Sequence, residues 1–96
     1  MSIDDLVKRI KQEFEKVLVD EEDGYKLLTI FERGEPSYLL CLSTLHTGYY
    51  YGKVVSIKSI NIVRCYDLLY YPLGLYIFGR SIEEFLSKLK SKLKWL

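Results

Sequence analysis

Three groups of residues in this chain carry side chains suited to chemistry. The first is Cys41, His46, Cys65 and Asp67. A thiol becomes a nucleophile when an imidazole lies within hydrogen-bond reach of its sulfur. His46 is the single histidine, and it sits at a strand end beside Thr47-Gly48. Nothing in the spacing brings it to either cysteine or to Asp67. No catalytic residue is assigned, and the expectation is a protein that is not an enzyme. Two cysteines and one histidine also fall short of the four-ligand, paired-spacing pattern of structural zinc. The glycines at 34, 48, 52, 74 and 79 are scattered among turns and form no phosphate cradle. No metal or cofactor is implied.

The second group is the tyrosine-rich stretch Tyr49-Tyr50-Tyr51 with Lys53, followed by Arg64, Tyr66 and Tyr70. On a pleated strand Tyr49, Tyr51 and Lys53 share one face. Aromatic rings interleaved with cations can stack unpaired bases and neutralise phosphates, so Tyr49, Tyr51, Lys53 and Arg64 form a candidate single-stranded nucleic-acid site. Tyrosine is also simply favoured in strands, and it is enriched with arginine at protein interfaces. Under that last reading Tyr66, Tyr70 and the terminal Trp95 are interface candidates. The third group is Lys88, Lys90, Lys92 and Lys94. Their spacing places them on both flanks of an apolar helical stripe, where lysines normally reach past the core into water.

Two helices and a set of strands must position these residues. Residues 2–18 carry Ile3, Leu6, Val7, Ile10, Phe14, Val17 and Leu18 at helical spacing, with Ser2 as cap and Asp4 and Asp5 in the first turn. An acidic turn at 20–24 follows. Strands are expected at Tyr25–Arg33, Ser37–Leu45 and Tyr49–Lys58, with a short last one at Leu75–Phe78. Residues 53–66 read as two strands or one bent one, and Asp67–Tyr71 as strand or a single helical turn. Ser81-Ile82-Glu83-Glu84 is a capping box, with Glu84 expected to reach back to the Ser81 amide. It opens a helix on Ile82, Phe85, Leu86, Leu89 and Leu93 that ends near Trp95.

This pattern predicts a single α+β domain over 1–96. Its two layers are an antiparallel sheet of four to five strands and a layer holding the N-terminal and C-terminal helices, both on one face. Most strands are apolar on both sides: Tyr25, Leu27 and Phe31 oppose Leu28 and Ile30, and Leu39, Cys41 and Leu45 oppose Tyr38, Leu40 and Leu42. A sheet with one wetted face would alternate apolar and polar residues. With two helices available for one face, the other is left to a partner, and a homodimer is expected. Both cysteines lie in such apolar runs. Buried free thiols are therefore favoured, with a Cys41–Cys65 disulfide as the alternative in a hyperthermophile.

Residues 1–48 hold ten acids against six bases, net −4, and residues 49–96 hold three acids against eight bases, net +5. Such a dipolar chain can pair with itself or present one basic face. No stretch reaches the ~18–20 apolar residues of a membrane span. The acidic start is unlike a signal peptide, so a cytoplasmic protein that does not enter the membrane is expected.

In composition the chain resembles small proteins of hyperthermophilic crenarchaea and their viruses, through its nine tyrosines, abundant Leu, Ile and Lys, one His and two Pro. For a viral protein the location would be the host cytoplasm. Pro72, Gly74, Gly79, Ser81, Glu83 and Glu84 resemble the strand–glycine–capped-helix stretch of HicB-type antitoxins. That family places the helix inside its domain, and no function is transferred from it. The reading is a small non-enzymatic interaction or regulatory protein, with single-stranded nucleic-acid binding as the alternative.

Overall fold

A computed structural model describes residues 3–22, 24–45, 47–59 and 64–96. The expected cap Ser2, His46 and residues 60–63 of the stretch read as two strands or one bent one lie outside them. Helix α1 spans Ile3–Glu13, and strands β1 (Lys16–Glu22), β2 (Tyr25–Glu32), β3 (Glu35–Thr44) and β4 (Tyr50–Ser56) follow. A 3-10 turn at Ile57–Ser59 leads on to helix α2 (Cys65–Tyr70), strand β5 (Leu75–Gly79) and helix α3 (Ile82–Leu93). The five strands form one antiparallel meander in the order β1-β2-β3-β4-β5. Together with the helices they make the α+β architecture that the patterning predicts.

The N-terminal helix is shorter than its apolar stripe suggests. Phe14, Val17 and Leu18 continue the helical spacing, yet Lys16–Glu22 is a strand. Val17 and Val19 also alternate with exposed residues, and β-branched side chains suit a pleat better than a helix. Tertiary pairing settles the competition, because Lys16 to Glu22 run antiparallel to Phe31 back to Tyr25. At the turn between β1 and β2, Gly24 has φ +77°, a conformation glycine adopts without steric cost. At the next hairpin Arg33 and Gly34 both take positive φ, 55° and 78°. A tight turn that matches the strand twist needs both central residues there.

Both terminal helices pack on one face of the sheet. Leu6, Val7 and Ile10 of α1 and Phe85, Leu86 and Leu89 of α3 close over Leu28, Ile30, Leu40, Leu42, Tyr50, Val54 and Ile77. Two ion pairs tie the helices: Arg9 with Glu83 at 2.5 Å and Lys90 with Glu13 at 2.9 Å. The acid that Lys90 meets is thus in the last turn of α1, not in the 20–24 segment. The capping box differs in one bond. The Ser81 hydroxyl accepts from the Glu84 amide at 3.1 Å, but the Glu84 carboxylate accepts from the Arg80 amide, one residue earlier than expected.

The opposite face overturns two expectations. The region read as strand around Cys65 is α2, and this third helix lies on the sheet's second face. There Leu27, Leu39, Cys41 and Val55 pack with Cys65 and Leu68 in a separate small core. Cys41 and Cys65 are joined in a disulfide, so neither is a free thiol. The apolar strip that the sequence left to a second copy is covered by the chain's own segment. Apolarity alone could not separate a strand from a six-residue helix at 65–70, since both bury a short apolar run.

Candidate functional site

The meander's register builds a ladder of aromatic rings on the second face, beside α2. Ser43 of β3 pairs with Tyr51 of β4, and Tyr51 with Phe78 of β5. Alternation then puts Tyr76 on the same side as Phe78. The Tyr25 and Tyr51 rings meet edge to face at 6.5 Å, and the Tyr51 hydroxyl donates to that of Tyr25 at 3.1 Å. Tyr51 and Phe78 stack at 6.1 Å, and Phe78 and Tyr76 at 6.5 Å. Such geometries add to simple area burial. Burial, with the Tyr25 hydrogen bond second, pushes the Tyr51 phenol up to about 12. The outer rungs face water: Tyr76 is 45% and Phe78 49% exposed.

Lys53 sits in the neighbouring row, paired with Cys41 on one side and Tyr76 on the other. Its side chain is buried, with 2% exposure. The ammonium lies over the Tyr76 ring, 5.0 Å from the centroid, and donates to the Tyr71 carbonyl. Burial lowers its pKa from the ordinary lysine value. The turn at 71–74 lies directly above. A Cβ on Gly74 would fall 2.3 Å from Val55 Cγ1 and 3.1 Å from Lys53 Cε. Lys53 is therefore a structural cation that holds the turn, and the fold leaves it no room to meet a phosphate.

The other residues singled out from sequence are dispersed. Tyr49 precedes β4 and is exposed, its carbonyl accepting from Leu45 N–H at 2.7 Å. Arg64 is exposed at the start of α2 and makes no side-chain cap. Tyr66 and Tyr70 project from α2 as an i, i+4 pair with ring centroids 5.1 Å apart. They are 69% and 75% exposed. Trp95 follows α3, a helix of the other face, and protrudes at 81% exposure. The structure thus gathers Tyr51, Tyr66 and Tyr70 on one side of the sheet and leaves Trp95 apart. Reasoning from sequence misses Tyr25, Tyr76 and Phe78. Their signal is present, because alternation in Leu75–Phe78 already places Tyr76 and Phe78 together.

Elsewhere a polar cleft of about 670 Å³ lies between the end of α1 and the β2–β3 turn. Of its acids, Glu13 pairs with Lys90, and Glu15 accepts from the Gly34 amide at 2.6 Å. Among the described residues no group of three or more His, Cys, Asp or Glu could hold a metal ion. No helix among them is long and apolar enough to cross a membrane. The chain matches no protein-family model, no curated protein and no solved structure.

Proposed function

We propose that this chain is a small non-enzymatic interaction protein whose aromatic ladder binds a second copy of itself. The observation that carries the reading is the half-exposure of Tyr76 and Phe78 on an edge strand. The apolar strips on both faces are already filled by α1, α3 and α2, and these rings are left over. Exposed clustered aromatics are the side chains most enriched at protein interfaces, and a contiguous patch of them marks an interaction surface. A twofold contact needs only one self-complementary patch.

The contact is made by ring faces and not by adding a strand. Lys88 donates to the Phe78 carbonyl at 2.8 Å, which occupies the outer edge of β5 as lysines on edge strands commonly do. The nucleic-acid alternative keeps Tyr51 and the exposed Arg64 but loses one of its two expected cations, because Lys53 is engaged by Tyr71 and Tyr76.

Solution mass by light scattering at low and high salt tests the reading. The expected result is twice the 11.3 kDa chain mass at both salt concentrations. The Phe78→Glu variant should return to the single-chain mass with an unchanged circular dichroism spectrum. A wild-type monomer, or a dimer indifferent to Phe78→Glu, refutes it. Oligonucleotide retention that weakens as salt rises would favour the alternative.

A further inference from the structure

The second face is held by a segment that the main core does not need. Every buried residue of the large core belongs to α1, α3 or the sheet, and none comes from α2. Helix α2 contributes Cys65 and Leu68 to the small core, and one of these two is half of the disulfide. A helix of six residues is far below the length that is stable on its own in water. Leu69 packs beside Cys65 and Leu68, the Cys65 sulfur lies 3.7 Å from the Lys26 carbonyl, and among the described residues hydrogen bonds add further ties. The Cys65 amide donates to the Glu22 carboxylate at 2.9 Å, and the Tyr76 hydroxyl donates to the Leu69 carbonyl at 2.5 Å. Lys53 donates to the Tyr71 carbonyl, in a position that strips water from its ammonium.

We propose that the Cys41–Cys65 disulfide is a redox modification site that acts as a latch. When a dithiol reduces it, α2 and the 71–74 turn that follows it leave the sheet together and uncover Lys53, Leu27, Leu39 and Val55, while the five-stranded sheet and the α1–α3 core stay folded. The chemistry is ordinary exchange. One thiolate of the dithiol attacks a cystine sulfur and expels the other as a thiolate. The second thiol of the reagent then displaces the protein sulfur from the mixed disulfide. Two electrons pass to the protein, two protons are taken up, and the reagent leaves as a cyclic disulfide. Both protein sulfurs are buried, Cys41 at 1% and Cys65 at 0% exposure, so attack waits on a transient opening of α2 itself. The oxidised latch resists casual reduction, and the opened one is kept open by the loss of its covalent tie.

The topology makes such opening local. Helix α2 lies between β4 and β5, which pair with each other from Tyr50–Gly79 to Val54–Leu75. A released segment therefore stays tethered at both ends to a strand pair that the large core holds. Its departure turns the ammonium of Lys53 from a bond donor within the fold into a solvated cation beside Tyr51 and Tyr76. The latch touches the self-association surface through Tyr76, whose hydroxyl bonds the Leu69 carbonyl, whereas Phe78 is exposed with the latch closed.

Amine acylation followed by mass spectrometry reads the state of Lys53 directly. The comparison uses oxidised protein, protein treated with dithiothreitol, and a Cys65→Ser variant without reductant. Backbone amide exchange of Leu28, Leu40 and Val54 is followed in parallel. The latch predicts Lys53 acylation at least about tenfold faster in the reduced and Cys65→Ser proteins, with the three amides as protected as before. Equal Lys53 protection in all three samples overturns it, because α2 then stays docked without the bond. Loss of Leu28, Leu40 and Val54 protection together with that of Lys53 also overturns it, because the bond is then a staple for the whole domain.

Discussion

Gly74 offers a sharp quantitative test of how the 71–74 turn is held over Lys53. Its φ is +104°, a backbone conformation that side chains with a Cβ rarely adopt. In addition, a Cβ there would stand 2.3 Å from Val55 Cγ1 and 2.8 Å from the Val54 carbonyl oxygen. Gly34 has a positive φ of +78° as well, but a Cβ added to it would meet nothing within 4 Å. Gly34→Ala therefore measures the backbone contribution alone, about 1–2 kcal/mol. Gly74→Ala adds the overpacking, about 1–3 kcal/mol more. For a chain of this size each kcal/mol lowers Tm by about 4–8 °C. The expected order is wild type, then Gly34→Ala, then Gly74→Ala, with at least about 4 °C between the two variants. Thermal unfolding followed by circular dichroism, repeated in urea, supplies the values. The same Gly74→Ala protein should acylate faster at Lys53, since the displaced turn carries the Tyr71 carbonyl. Equal destabilisation by the two substitutions, within about 0.5 kcal/mol, would refute the packing argument and leave only the backbone one.

Two further outcomes follow from the ladder and the cap. Tyr51 titrates at about 12 in the folded protein against about 10 in an unfolded chain. Folding favours its neutral form, so its contribution is complete below about pH 10 and is lost as pH rises toward 12; at most about 3 kcal/mol is involved. Tyr51→Phe should flatten the fall in urea stability across that window. A residual fall persists from Tyr38 and Tyr50, which are also raised, chiefly by burial. Lys53, lowered by burial, acts in the opposite sense just below the ordinary lysine value; identical alkaline profiles for Tyr51→Phe and wild type would show that the phenol is not the group responsible. Ser81→Ala removes the acceptor of the Glu84 amide and should cost about 1 kcal/mol, read as a drop in Tm. Glu84 keeps its bond from the Arg80 amide, which holds its carboxyl below the ordinary range. That contribution is present above the ordinary glutamate pKa and is lost as acid takes pH through the lowered value.

Strands β2 to β5 are legible in the sequence because each is a short run of apolar and strand-favouring residues bounded by turn signals such as Gly24, Gly34 and Gly48, whereas β1 and its acidic end at 20–22 read as helix and turn. The C-terminal helix is legible because Ser81 and Glu84 mark its start and apolar residues follow at helical spacing. The stretch from Phe14 to Leu18 is ambiguous for a physical reason. Its residues satisfy both periods, and only pairing with Phe31 back to Thr29 decides between them. Around Cys65 the sequence holds a short apolar run with no capping signal, and Arg64 provides none in the structure. Helix α2 exists because the sheet face beneath it offers Leu27, Leu39 and Val55, and because Cys41 lies within bonding reach. That information is tertiary. The same omission leads from two-sided apolar strands to an interface covering the whole face. The aromatic ladder is half legible: Tyr51 stands out by composition, but its neighbours Tyr25 and Phe78 are distant in sequence and meet it only through register and ring contact.

The meander order has a consequence for how the molecule is made. Each strand pairs with the one just synthesised, so hairpins can form in succession as the chain emerges. The face that they build, however, stays half open until α3 follows. Phe85, Leu86 and Leu89 close the large core, and they follow the last strand. Until α3 arrives, Val54 and Ile77 lie on a finished sheet that α1 covers only in part. Contacts of this kind between early and late segments slow folding, and exposed apolar sheet invites aggregation meanwhile. The nascent sheet is thus most vulnerable between the making of β5 and the docking of α3, and the lysines that flank the apolar stripe of α3 keep that helix soluble until it docks.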